Sequence, residues 1–446
     1  MLYGLTLSWL TGFTIAGYVG VAVLQAAMLA LTTALVPTAR WPIGAWGLPA
    51  ALALLDLAQS RFPFDGFPLP ALALSQAGGP FAAAAPWGGT PLVAAMAGVA
   101  GVALAVAVHA VLRRRLVRAG VVTMAAVVVV GAPVLAEPLT ATLDAGTLNV
   151  AVVQGGGTRG LRAVFTNPQD TTDRQFAVAD RISGSPDLVL LPENVITVEG
   201  PVAGTVASER VARLARRLSA PVVVGVVERL GGRFANAAVL WDPDGTIGGR
   251  YEKEHRVPFG EYIPARALLE KVTDLTALVP RDAIPGVGTA RLDSPSGPLG
   301  VVISYEVLFT DRVREAVTAG GRVVLVPTNA ASYTTEDVPA IEVAGARLRA
   351  RETGRAVVQA APTGYSVAVL PDGTVMAQTQ LAASGLLTVT IPLRDGFTPY
   401  TTGGDVPVLT AATAALLAVW LVPAARRRRA PAPSAPPAGA RPSPRS

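Results

Sequence analysis

Three short stretches place reactive side chains at the ends of apolar runs. "DLVLLPEN" (187–194) closes on Pro192-Glu193. "RYEKEHRVPFGEYIP" (250–264) gathers Lys253, His255 and Glu261 around a Pro258-Phe259-Gly260 turn. "GVVISYEVLF" (300–309) runs through Val301–Ile303 and then turns polar at Ser304, Tyr305 and Glu306. A buried strand that ends in a nucleophile-capable hydroxyl and a carboxylate is a common way to build an active site. Singly, each stretch has a plainer meaning: a solvated loop glutamate, a surface lysine, a serine bonding its own backbone. The chain holds no cysteine, which removes disulfides, thiolate metal sites and thiol redox chemistry.

The elements that must position these residues lie between about 148 and 395. Short β-branched runs at 149–153, 187–191, 221–227, 237–241, 299–303, 322–327, 356–360, 366–370 and 386–391 predict buried strands. Between them "SERVARLARRL" (208–218), "TDRVREAV" (310–317) and "VAGARLRARE" (343–352) repeat apolar residues at helical spacing. The alternation predicts an α/β domain, long enough to bury a full core.

The rest of the chain reads as membrane. Of its 446 residues 51% are hydrophobic and 15% charged, against roughly 25% charged in ordinary soluble domains. Apolar segments at 16–36, 42–60, 91–112, 120–136 and 406–424 predict about five spans; Asp56 and Gln59 make 42–60 the weakest. The net charge of +6 does not point to nucleic acid, because arginines cluster at 113–118 and 426–429 beside apolar segments. The positive-inside rule puts both clusters in the cytoplasm, 137–405 outside, and Met1 outside as well. "MLYGLTLSWLTGF" looks like half a helix, so further helices are expected before Met1. The Pro/Ala/Ser-rich stretch 425–446 is expected to be a disordered cytoplasmic tail.

Together, in this order and spacing, the three stretches resemble the nitrilase, or carbon–nitrogen hydrolase, superfamily, and within it the membrane-bound apolipoprotein N-acyltransferases. "YEKEHRVPFGEYIP" resembles that branch's lysine loop and "VISYEVLFTDRVREAV" its nucleophile segment. "ARLRARETGRAVVQAAPTGYSVAVLPDGTV" (346–375) is similar to its downstream strand-turn block, and "FDGFPLPALALSQAGGPFAAAAPWGG" (64–89) to its loop before a transmembrane helix. The resemblance implies an α-β-β-α sandwich at 148–395, carried outside the inner membrane on helices at 1–137 and 405–424. The family bundle has eight spans, and 1–14 matches the end of its third helix.

By the same resemblance Glu193 matches the general base, Lys253 the cation that stabilises the oxyanion, and Ser304 the position of the catalytic cysteine. Glu261, Tyr305 and Glu306 match supporting residues. The implied reaction moves a phospholipid acyl group to the nucleophile, then to the N-terminal amine of a diacylglyceryl-cysteine lipoprotein, with no metal or organic cofactor. The serine matters chemically. A thiol ionises near pKa 8.5 and an alcohol nearer 15.7, a gap of roughly 10 kcal/mol in nucleophile activation. A Ser304–His255 dyad would supply the dedicated base that serine enzymes use. Other departures are Asn329–Tyr333 for Asn-Asp-Ala-Trp-Phe, Glu342 for a histidine, Pro362-Thr363-Gly364 for Asn-Thr-Gly, and Arg256-Val257-Pro258 for Leu-Val-Pro. Two readings stay open. One is an acyltransferase that works with Ser304. The other, toward which the missing thiol tips the balance, is a catalytically impaired homologue that binds lipid or lipoprotein or scaffolds a protein partner.

Overall fold

The computed structural model describes residues 2–140, 142–160, 167–271 and 273–421, so the expected tail and the cluster Arg426–Arg429 lie outside the described residues. The first strands are β1 (Leu143–Gln154), β2 (Leu188–Leu190), β3 (Ile196–Glu199), β4 (Val222–Leu230), β5 (Arg233–Trp241), β6 (Ile247–Glu252) and β7 (Asp282–Ala283). With β14 (Gly385–Asp395) they form one sheet, ordered β14-β1-β2-β4-β5-β6, with β3 beside β4 and β7 beside β5. The second sheet is ordered β13-β12-β11-β10-β9-β8. Its strands are β8 (Arg291–Ser294), β9 (Gly297–Val301), β10 (Val324–Pro327), β11 (Val357–Ala360), β12 (Val367–Val369) and β13 (Val375–Gln378).

Successive side chains of a strand face opposite ways, and β1 shows what this builds. Val150 and Val152 pack into the core shared with Val301, Leu325 and Val358 of the second sheet. Ala151 and Val153 face the other way, onto Phe176 and Val211. Those two residues belong to helices α6 (Pro168–Ala179) and α7 (Val206–Leu218). Beyond the one-turn α8 (Arg266–Leu269), helices α9 (Thr310–Thr318) and α10 (Asp337–Thr353) cover the second sheet. The layers are therefore helix, sheet, sheet, helix, and all nine expected strands are present.

The N-terminal part is helical. It comprises α1 (Leu2–Thr6), α2 (Ile15–Ala34), α3 (Leu48–Gln59), α4 (Ala85–Leu112) and α5 (Leu116–Leu135). Among the described residues, three helices are long and apolar enough to cross a bilayer: Ile15–Ala34, Pro80–Leu112 and Leu116–Leu135. Val117, Val121, Met124 and Val127 are exposed along α5, as a lipid-facing wall requires. Arg113–Arg115 make the tight turn between α4 and α5, with Arg114 at φ +53°.

Segment 42–60 differs from expectation. Only 48–59 is α-helical, and its polar residues are buried: Gln59 donates to Gln25 at 2.8 Å and to the Tyr3 hydroxyl at 3.3 Å. A five-residue helix is followed by a 3-10 turn at Ser8–Gly12, whose Trp9 packs edge-on against Tyr333 of the sandwich domain.

The two parts are bolted together at a break in α4. Gly88 and Gly89 leave helical geometry, and Gly89, at φ +65°, must be glycine: a Cβ there would lie 2.6 Å from the Tyr400 ring. The freed Thr90 amide donates to Glu352 Oε1 of α10 at 2.9 Å, and Arg349 pairs with the same carboxylate at 2.9 Å. Tyr400 sits in α11 (Pro399–Gly403), which leads into the apolar α12 (Val406–Leu421) packed on α3.

Candidate active site

Glu193 is positioned by backbone rather than by side chains. Pro192 ends the β2 ladder because it has no N–H to donate, and Asn194 turns the chain at φ +58°. The turn lies flat on Gly225 of β4, whose amide donates to the Pro192 carbonyl at 3.0 Å. A Cβ on Gly225 would stand 2.4 Å from Glu193 Cα, so only glycine lets the two backbones approach this closely.

Lys253 follows directly on β6, and its amide donates to the Asn236 carbonyl of β5 at 2.8 Å. Its side chain, 2% exposed, donates to Glu193 Oε1 at 3.0 Å and to Glu261 Oε1 at 2.9 Å. The Asn236 amide group donates to the same two oxygens, at 2.7 and 2.9 Å. Glu261 Oε2 accepts from the Val257 amide at 2.7 Å and so closes the Pro258-Phe259-Gly260 turn on itself. Burial alone would lower the Lys253 pKa, but the charges of Glu193 and Glu261 outweigh it and raise it. The ammonium is therefore permanent. Burial lifts Glu193, with Lys253 pulling it down and Glu261 pushing it up, and the net shift is upward.

Ser304 stands just past β9 at φ +52°, a left-handed conformation that costs a side chain about 1–2 kcal/mol. The turn is held shut by Glu306, whose Oε2 accepts from the Ile303 amide at 2.7 Å. The Ser304 hydroxyl donates to Glu342 Oε1 of α10 at 3.3 Å. Thr328, just after β10, has its hydroxyl 2.6 Å from the same Glu342 oxygen and 3.0 Å from Ser304 Oγ. Glu342 is buried, and its Oε2 has no hydrogen-bond partner. Burial pushes the Glu342 carboxyl up to about 7, with the Thr328 hydrogen bond opposing and the charge of Glu193 assisting. Its place in the sequence showed only as a departure from a histidine, and a lone glutamate in "VPAIEVAGARL" carries no signal of the serine across from it. Asn236 was likewise hidden, as a single polar residue in the apolar run "FANAAVLW".

Tyr305 and Glu306 hold the surroundings. Glu306 Oε1 accepts from the amides of Glu254 and His255 at 2.8 and 3.0 Å. The Tyr305 hydroxyl donates to the Gly66 carbonyl of the N-terminal part at 3.0 Å, and Phe64 from the same loop meets Phe259 edge-on. His255 forms no dyad with the serine. Its ring stacks on Phe309 at 4.2 Å, while the Ser304 hydroxyl is engaged by Glu342 and Thr328. The structure thus brings Glu193, Lys253 and Glu261 into one buried cluster, joins Ser304 to Glu342, and links the two segments through Glu306.

A buried lysine between two carboxylates, set in a helix–sheet–sheet–helix sandwich, has the architecture of the carbon–nitrogen hydrolases. Residues 149–396 match the family described as Carbon-nitrogen hydrolase, and residues 1–103 match the Apolipoprotein N-acyltransferase N-terminal domain. The chain belongs to the carbon–nitrogen hydrolase superfamily, in its apolipoprotein N-acyltransferase family. An apolipoprotein N-acyltransferase of Mycolicibacterium smegmatis is 32% identical over 65% of this chain and 51% of its own length. One from Gloeobacter violaceus is 29% identical over 96% of this chain and 85% of its own length. The chain spans about half the length of the Mycolicibacterium smegmatis relative, 51%, and of one from Geobacter metallireducens, 50%. Among solved structures, an amidase from Nesterenkonia sp. aligns with TM-score 0.43 at 24% identity, covering 60% of this chain and 98% of that one.

Proposed function

We propose that this protein is a membrane-tethered acyltransferase that moves a fatty acyl group from a phospholipid to the N-terminal amine of a diacylglyceryl-cysteine lipoprotein, through an ester on Ser304. The observation that carries the reading is the buried cluster in which Lys253 donates to both Glu193 and Glu261, tied through Glu306 to the strained Ser304 turn. Selection that had abandoned acyl chemistry would have little reason to retain a lysine 2% exposed between two carboxylates, since such clusters cost stability relative to apolar packing.

In the first half-reaction Ser304 Oγ bonds to the ester carbonyl carbon of the donor. Lys253, a fixed cation, stabilises the tetrahedral oxyanion. The ester C–O bond breaks, and the proton that Oγ gave up passes to the departing lysophospholipid oxygen. In the second half the lipoprotein amine attacks the acyl-serine, and Glu193, the carboxylate beside Lys253, takes the amine proton and passes it to Oγ as the acyl–Oγ bond breaks. Glu261 fixes Lys253, Glu306 fixes the Ser304 turn, and Tyr305 ties that turn to the membrane part. The protein is read as a multi-pass protein of the plasma membrane, with Arg113–Arg118 in the cytoplasm and the sandwich domain outside, beside both lipid substrates.

The test is acyl transfer to a diacylated lipopeptide from phospholipid vesicles, comparing the wild type with Ser304→Ala and Ser304→Cys. Turnover that disappears in S304A and persists or rises in S304C supports the reading. Wild type and S304A equal at background would replace it with the impaired lipid- or lipoprotein-binding scaffold.

A further inference from the structure

We propose that Glu342 is the proton acceptor for the Ser304 hydroxyl, so that this chain pairs its alcohol nucleophile with a second buried carboxylate. The inference deepens the acyltransfer reading and rests on it. A thiol beside a lysine and one glutamate ionises readily, whereas an alcohol needs a base in contact with it. Among the described residues, the side chains bonded to Ser304 Oγ are Glu342, at 3.3 Å, and Thr328, at 3.0 Å. The Thr328 hydroxyl has one proton and lies nearest Glu342 Oε1, at 2.6 Å, so it aims the carboxylate while leaving Ser304 to donate to it. Glu342 Oε2 is buried without a partner, so the only hydrogen bonds damping the carboxylate's basicity are those at Oε1.

The charged groups facing Glu342 separate the tasks of the two carboxylates. Glu193 repels a second negative charge, Lys253 attracts one, and Tyr333 lies close enough to sense all three. Glu193 is engaged by Lys253 and Asn236, which leaves the serine proton to Glu342. As Oγ bonds to the donor carbonyl carbon, the Ser304 proton passes to ionised Glu342, which hands it to the lysophospholipid oxygen as the ester C–O bond breaks. As the amine displaces Ser304, Glu193 receives the amine proton and that proton returns to Oγ as the acyl–Oγ bond breaks. The starting state is restored with no other reactant. Burial lifts Glu342 to about 7, which places its base form within reach of neutral pH.

Two readouts on the full chain in phospholipid vesicles test this. One is covalent labelling of Ser304 by a fluorophosphonate, followed by intact mass; the other is acyl transfer to a diacylated lipopeptide. Glu342→Gln is expected to slow Ser304-dependent labelling and transfer at least 100-fold. The wild-type labelling rate should climb through pH about 7, and that climb should be absent in E342Q. Glu342→Asp should recover part of the rate. In Ser304→Cys protein the same Gln change should cost less than tenfold, which also reports that the fold survives it. E342Q labelling at the wild-type rate, or an equal loss in the S304C background, would overturn the role of Glu342. Glu342-dependent labelling without lipopeptide transfer would instead overturn the acyltransfer reading and leave the pair standing.

Discussion

The Tyr251 hydroxyl donates to Glu306, lying 2.8 and 2.9 Å from its two carboxylate oxygens. Tyr251 stands two residues before Lys253, and Glu306 two residues after Ser304, so this contact ties the Lys253 segment to the Ser304 turn. Arg312 backs it by donating to the Tyr251 oxygen at 3.0 Å.

Glu306→Gln should therefore act on both segments at once. A carboxylate that accepts from three amides and a phenol becomes an amide that must turn an NH2 group toward one of those donors. The expected cost is about 3 kcal/mol, with turnover lost because Lys253 and Ser304 no longer share a frame. Thermal unfolding in detergent measures it, and an unchanged midpoint would refute the role.

Gly225→Ala tests the backbone contact under Glu193. The added methyl would stand 2.4 Å from both Glu193 Cα and the Pro192 carbonyl oxygen, so the Glu193 turn must move. Transfer activity should fall at least tenfold, more than at an exposed glycine such as Gly232, where a Cβ meets nothing within 4 Å. Equal effects at the two sites would show that the Glu193 turn tolerates displacement.

The raised Glu342 pKa gives a stability signature of known sign. A carboxyl lifted from 4.5 to about 7 by folding binds its proton more tightly in the folded state. Its contribution, up to about 3 kcal/mol, is fully present below pH 4.5 and is lost as pH rises through about 7. The wild-type thermal midpoint should drop between pH 6 and pH 9 by more than that of E342Q. Parallel curves for the two proteins would refute it.

The sandwich was legible because its buried strands are uninterrupted β-branched runs, and a run such as "VVVGVV" has few other ways to be buried. The strands that escaped are edge or short pieces. β6, "IGGRYE", is glycine-rich and charged, and β8, "RLDS", has one buried residue. Ser304, Lys253 and Glu193 were legible through local motifs. Glu342 and Asn236 were not, because their meaning depends on contacts 38 and 43 residues away in sequence, to Ser304 and Glu193. The same limit explains segment 42–60. Asp56 and Gln59 looked like flaws in a span, yet Gln59 is the partner of Gln25, 34 residues earlier.

The helix that carries Glu342 is also the one gripped at Glu352 by the break in α4. Ten residues of α-helix separate the two carboxylates, about 15 Å along the axis. Ser304's partner is thus mounted at the far end of a rigid strut whose foot stands on a membrane helix. The height of Glu342 above that foot is set by protein geometry, and in the acyl transfer proposed for this site the donor must supply the reach. The strut works as a ruler.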